Sequence, residues 1–292
     1  MNPVRVLTIL FPALVVAGCT SNQEEFTDRV EVEVADGEAL LSVPGNQTDG
    51  PAEGIEWIVC RPEKGESRGH VLLVGSWEMP VGGKEFCAGW LAGVFQAEGY
   101  AVVGVNPPEV GRSPGRSDLG GGGDRRAILD GLAEAGKAAG LQGNPAGLWG
   151  YGVGTITAGF LSKGWDGKTW LIAGAGIYDA EIVSKQTKDR HLAERIARLL
   201  AGKGDVVLED RSIAWDFSGL SKRVIIYHGE RDTLIPWSQA ASFRDNLATQ
   251  EFQADFLLLP GTGHKLKPRF HQQTLKKILQ EKLAAPASPP KT

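Results

Sequence analysis

Two side chains in this 292-residue chain are placed to move protons: Asp232, in HGERDTLIP, and His264, in LPGTGHKLK, each just past a short apolar run that reads as a strand. A carboxylate that accepts from one imidazole nitrogen orients the ring and leaves the other nitrogen free to take a proton from a hydroxyl, a thiol or water. A third segment, LWGYGVGTITAG (148–159), passes from an apolar strand through Gly150-x-x-x-Gly154 into helix-like sequence. The outer glycines permit a turn too tight for side chains, and a strand-to-helix turn of this kind lifts its central residue into the open, ready to attack a substrate. Here that residue is Gly152, which has nothing to attack with. Ser76, after HVLLVG, and Ser113, after YAVVGV, are the displaced hydroxyls that would have to meet His264 instead. The backbone N–H groups of Val153 and of Ser76 or Trp77 are placed to hold an oxyanion.

These residues need a frame that brings distant loops together, and the hydropathy pattern supplies one. Short apolar runs at 70–75, 100–105, 146–150, 169–176, 223–229 and 252–260 alternate with helical periodicity at 84–98, 124–139, 153–163, 238–249 and 268–283. That alternation predicts an α/β class domain over 29–284, with a mostly parallel sheet covered by helices on both faces. Segments 29–45 and 54–62 alternate with period two, as exposed or antiparallel strands do. The stretch 178–220 interrupts the alternation and reads as a small cap or lid with a helix near 192–200. Gly120–Gly123 reads as a flexible loop ahead of the next helix.

The balance of 31 Lys and Arg against 35 Asp and Glu, a formal net charge of −4, is not that of a chain built to track a phosphate backbone, so nucleic acid is not an expected partner. The start, MNPVRVLTILFPALVVAGCT, places Arg5 before an apolar run too short to span a bilayer comfortably. Residues 1–18 therefore read as a signal peptide. Val16-Ala17-Gly18-Cys19 resembles the lipobox of bacterial lipoproteins, which implies lipidation at Cys19, residues 19–28 as a tether and an exported body anchored to a membrane of the cell envelope. Residues 285–292 read as a disordered tail. Cys60 and Cys87 remain, either bridged in an oxidising compartment or buried as small apolar thiols, Cys87 within the 84–98 helix. Of the other histidines, His228 reads as structural, and His70, His191 and His271 as surface or element-end residues.

The order elbow, acid, histidine resembles the α/β-hydrolase superfamily over roughly residues 55–283. Gly150-Tyr151-x-x-Gly154, His228-Gly229-x-x-Asp232-x-x-Ile235-Pro236, Gly263-His264 and the stretch Asn106-Pro107 through Gly111-Arg112-Ser113 are most similar to the dienelactone hydrolase group. The resemblance implies Asp232 and His264 as catalytic partners of a nucleophile at 152, where that group carries Cys, Ser or Asp. Gly152 departs from this pattern, Thr155 replaces a second glycine, and Val74-Gly75 stands where many relatives have His-Gly. Thr155 also removes the glycine spacing of a dinucleotide loop. The expectation is a pseudoenzyme: a hydrolase-like lipoprotein binding a small acyl or ester-type ligand or an envelope protein, with no metal and no cofactor. The alternative is an active esterase that uses water activated by His264, or a displaced serine.

Overall fold

The computed structural model describes residues 28–29, 47–49, 54–62, 67–165, 169–201, 206–250 and 252–283. The signal, Cys19, most of the tether and the tail lie outside the described residues, as does nearly all of the period-two segment 29–45. In the described part, nine strands form a single sheet: β1 (Asp28–Arg29), β2 (Gln47–Asp49), β3 (Trp57–Cys60), β4 (His70–Val74), β5 (Ala101–Val105), β6 (Gly147–Tyr151), β7 (Trp170–Gly174), β8 (Arg223–Gly229) and β9 (Gln253–Leu259). Their spatial order is β1-β9-β8-β7-β6-β4-β5-β3-β2, and only the β2–β3 and β3–β5 pairs are antiparallel.

Each central strand is apolar throughout because both of its faces are covered. In β4, Leu72 and Val74 point to one core, which holds Ile128, Ala158 and Phe243 from helices α2 (Gly122–Ala139), α3 (Gly154–Ser162) and α7 (Trp237–Ala248). Val71 and Leu73 point to the other, with Leu91 and Phe95 of α1 (Trp90–Ala97) and Leu275 of α8 (Pro268–Lys277). The period-two split of one strand between two cores is what gives a doubly covered sheet its rigidity. Between β7 and β8 the chain makes a helical excursion of α4 (Ala180–Gln186), α5 (Arg190–Leu200) and α6 (Val206–Glu209). Leu192 and Ile196, four apart on α5, bury themselves beside Val153 and Ile156 at the start of α3, so the excursion sits on the turn that follows β6.

Several local expectations need correction. The first helix starts at Trp90 rather than 84, because a short 3₁₀ turn, Phe86–Ala88, and Gly89 in extended conformation precede it. Cys87 lies in that turn and is bridged to Cys60 of β3, with 5.3 Å between their Cα atoms. Gly122 and Gly123 are the first residues of α2, not loop. His271 is fully buried on α8, while His70 does stand at an element end, the first residue of β4, and is buried there; burial lowers the pKa of both, that of His271 to about 3.

Candidate functional site

β4 is paired with β5 on one side and β6 on the other, so the chain reverses its direction of winding at this point. Loops that leave the carboxyl ends of two strands at such a switch point diverge and leave a crevice, which is where open α/β sheets carry their sites. Here those loops are 75–83, after β4, and 152–153, after β6.

The turn after β6 is held by close approach on both sides. A Cβ at Gly150 would lie 2.8 Å from the Gly154 carbonyl oxygen, and one at Gly154 would lie 2.9 Å from that of Val74, so neither position accepts a side chain. Gly152 has φ +55°, its N–H donates to the Gly174 carbonyl at 2.9 Å, and its carbonyl accepts from the Thr155 hydroxyl at 2.6 Å. Thr155 is thus not an idle replacement for glycine: its Oγ1 also accepts from Ile177 N–H at 2.9 Å and ties the turn to the loop after β7.

Asp232 and His264 meet. His264 Nδ1 lies 2.7 Å from Asp232 Oδ2, so Nδ1 carries the proton it donates, and Nε2 has no hydrogen-bond partner. Asp232 Oδ1 accepts from Leu234 N–H and Ile235 N–H, both at 2.9 Å. His228 Nε2 lies 2.9 Å from the Ile235 carbonyl and 3.1 Å from Asp232 Oδ2, donating toward two acceptors, which gives this histidine the structural task of bracing the acid. Burial alone would raise the proton affinity of Asp232, but the hydrogen bonds from His228 and His264 hold its carboxyl well below the usual range. The Tyr151 hydroxyl donates to the His264 carbonyl and fixes the loop that carries the ring.

The residue that the sequence did not disclose is Glu78. Its side chain is 7% exposed, neither carboxylate oxygen has a partner at full hydrogen-bond geometry although the Ser76 hydroxyl is close enough to favour the charged form, and Oε1 lies 3.9 Å from the likewise unpartnered His264 Nε2. A Cβ built on Gly152 would meet Glu78 Oε1 at 3.0 Å and Oε2 at 3.1 Å. The carboxyl of Glu78 therefore fills the space that a side chain at the elbow would use. Burial pushes this carboxyl above the ordinary carboxylate range, against the opposing pull of the Ser76 hydroxyl and the His264 ring. An acid whose folded proton affinity exceeds its unfolded one costs the fold stability as pH rises from the unfolded value, near 4.5, through the folded one. Glu78→Gln removes that cost, so its melting temperature is expected to exceed the wild type's at pH 7.5 and to converge on it near pH 4. An equal or lower melting temperature at pH 7.5 would show that the carboxylate is not destabilised in the fold.

The displaced serines are disposed of differently. Ser113 is occupied away from the elbow: its hydroxyl donates to the Asn106 carbonyl at 2.7 Å and accepts from Glu56 N–H at 2.9 Å. It belongs to a brace in which Asn106 Nδ2 donates to Glu56 Oε2 (2.8 Å), Arg112 Nε donates to Oε1 (2.7 Å), and Asn106 Oδ1 accepts from Val81 N–H (2.8 Å), fastening the loop that carries Glu78. Ser76 does line the crevice, but its N–H donates to the Met79 carbonyl at 3.1 Å within a tight turn and is not free for an oxyanion. Trp77, Val153 and Gly154 line the same cavity, whose volume of about 10 Å³ holds roughly one water. Trp237 lies away from the crevice, stacked on Phe256 at 6.4 Å in the core.

No protein-family model and no curated relative matches the chain. Solved structures do. A puromycin-hydrolysing peptidase of Mycobacterium tuberculosis superposes with a TM-score of 0.64 at 19% identity, covering 82% of this chain and 38% of its own. An acylaminoacyl peptidase of Pyrococcus horikoshii gives 0.66 at 15% identity, covering 86% and 43%. An alpha-beta serine hydrolase homologue of Coxiella burnetii gives 0.53 at 17% identity, covering 83% of this chain and 100% of its own. This chain has the α/β-hydrolase fold. It spans about two-fifths of the length of the two peptidases. In this fold the turn after β6 carries Gly152, and the loops after β8 and β9 carry Asp232 and His264.

Proposed function

We propose that this protein is a hydrolase-fold pseudoenzyme, exported and lipid-anchored through Cys19, that binds a small acyl-type ligand or an envelope partner without forming an acyl-enzyme. One observation carries the reading: the carboxyl of Glu78 stands in the space of the absent nucleophile, 3.9 Å from the imidazole that would have served it. A buried carboxyl there opposes the approach of a carbonyl oxygen to the elbow. The Cys60–Cys87 disulfide supports export, because such bridges persist in oxidising compartments.

The test is turnover. The full chain, given a panel of small esters and a fluorophosphonate probe, is expected to show no hydrolysis above the Asp232→Asn and His264→Ala variants and no labelled residue. Ester turnover that either variant abolishes would overturn the reading and establish the alternative, in which His264 activates water directly.

A further inference from the structure

A second cavity lies between α5 and the loop at 109–119 and shares Ser117 with the first. Its volume is about 260 Å³, and Arg116, Arg195 and Arg198 line it together with Leu119 and Leu199. The charges in its wall do not cancel. Arg195 forms a bidentate pair with Glu109, at 3.0 Å for each hydrogen bond. Asp118, the other acid of the wall, accepts from Gly123 N–H at 2.9 Å and Asp124 N–H at 3.2 Å at the start of α2 and has its own cation in Arg211 at 3.7 Å. Arg116 and Arg198 are exposed and make no ion pair among the described residues. Two guanidinium groups therefore face one cleft uncompensated, on a chain whose net charge is negative.

The backbone points to the same place. Among the described residues three non-glycine positions have positive φ, namely Glu109 at 70°, Leu119 at 61° and Ala175 at 43°, and the first two are walls of this cleft. Such conformations are strained and gather at ligand clamps and switch regions. Leu119 is buried and Leu199 partly so, which gives the cleft an apolar side beside its cationic one.

We propose that this cleft binds a small organic carboxylate, its anionic end held by Arg116 and Arg198 and its apolar body laid against Leu119 and Leu199. The Arg195–Glu109 pair shows the matching geometry already realised in the wall: a planar carboxylate taken by a guanidinium fork. The volume suits a ligand below drug size. Arg195 also lies 4.3 Å over the ring of Trp77, next in sequence to Glu78, so the cleft and the elbow crevice share a wall. Naming this ligand class rests on the binding reading above, but it does not require that His264 be inert.

Calorimetric titration of the full chain with hexanoate, methyl hexanoate and inorganic phosphate tests the assignment. Hexanoate is expected to bind one to one, at least tenfold more tightly than either of the others, and to weaken as sodium chloride rises from about 50 to about 500 mM. Arg116→Ala and Arg198→Ala, both at exposed positions, are each expected to weaken it at least tenfold while leaving the melting temperature in place. Equal affinity for the methyl ester, undiminished binding in both variants, or no binding of hexanoate would overturn the proposal. Methyl hexanoate bound through Glu78 or His264 would sink the cleft and spare the binding reading. Its hydrolysis in a His264-dependent reaction, with hexanoate still held by the arginines, would do the reverse.

Discussion

Gly152→Ser alone is expected to remain silent toward a fluorophosphonate, whereas Gly152→Ser combined with Glu78→Ala is expected to react at least about 10²-fold faster, the scale on which single elements of such a site act. The φ of +55° at residue 152 belongs to the strained turn from which hydrolase-fold nucleophiles project, and the unpartnered His264 Nε2 lies 3.9 Å from the Glu78 oxygen that occupies the spot, which puts an imidazole within reach of a serine there. What it lacks is space. Its Cβ would sit 3.0–3.1 Å from both oxygens of Glu78, tighter than ordinary van der Waals contact, and a buried carboxylate beside it would repel the developing oxyanion. Truncating Glu78 removes both obstacles and leaves the Val153 N–H at the turn. Labelling the two variants with the probe and locating the modified residue by mass spectrometry decides the matter. Equal reactivity of the single variant would show that Glu78 yields its place freely and is no plug.

Asp232→Ala is expected to destabilise the fold by about 3–5 kcal/mol, the range for removing one partner of a buried charge pair. The carboxylate accepts hydrogen bonds from His264, Leu234 and Ile235 and lies 3.1 Å from His228 Nε2, and the loss strands buried donors that water cannot reach. The pH dependence follows from the direction of the shift. Because the folded carboxyl has a lower proton affinity than the unfolded one, near 3.8, its stabilisation is fully present above that value and is lost as pH falls through the folded value. Urea unfolding of wild type and variant should therefore show a gap that is constant at neutral pH and closes in strong acid. A gap below about 1 kcal/mol at pH 7 would mean that the loop carrying Asp232 relaxes without it.

How the site is built explains which parts of it could be read from the chain. The paired cores were legible because strands such as HVLLV are apolar throughout, as strands covered on both faces are, and the helices repeat their apolar residues at 3.6, a local consequence of backbone geometry. The glycines at 150 and 154 were legible for the same reason: only glycine tolerates carbonyl oxygens at 2.8–2.9 Å, so the residue type reports the packing. Cys60 and Cys87 could be counted but not paired, since spacing carries no information on whether two Cβ atoms converge. Ser113 looked like a nucleophile in reserve and is instead a strut, because its partners, Asn106 and Glu56, are set by the β3–β5 pairing. His271, expected at the surface or at an element end, is enclosed between Tyr151, Tyr227 and Trp90, a site assembled from three other elements.

The sequence by itself determined the layered α/β architecture, the tight turn around residue 152 and the order in which acid and histidine follow it, because each depends on residues close along the chain. Only the tertiary structure decided what stands in the vacant position. Ser-Trp-Glu-Met after β4 carries no pattern of its own. Its glutamate comes to lie over Gly152 because β4 and β6 are neighbours in the sheet, and a side chain's surroundings across a strand pair are a property of the register, not of the segment that bears it.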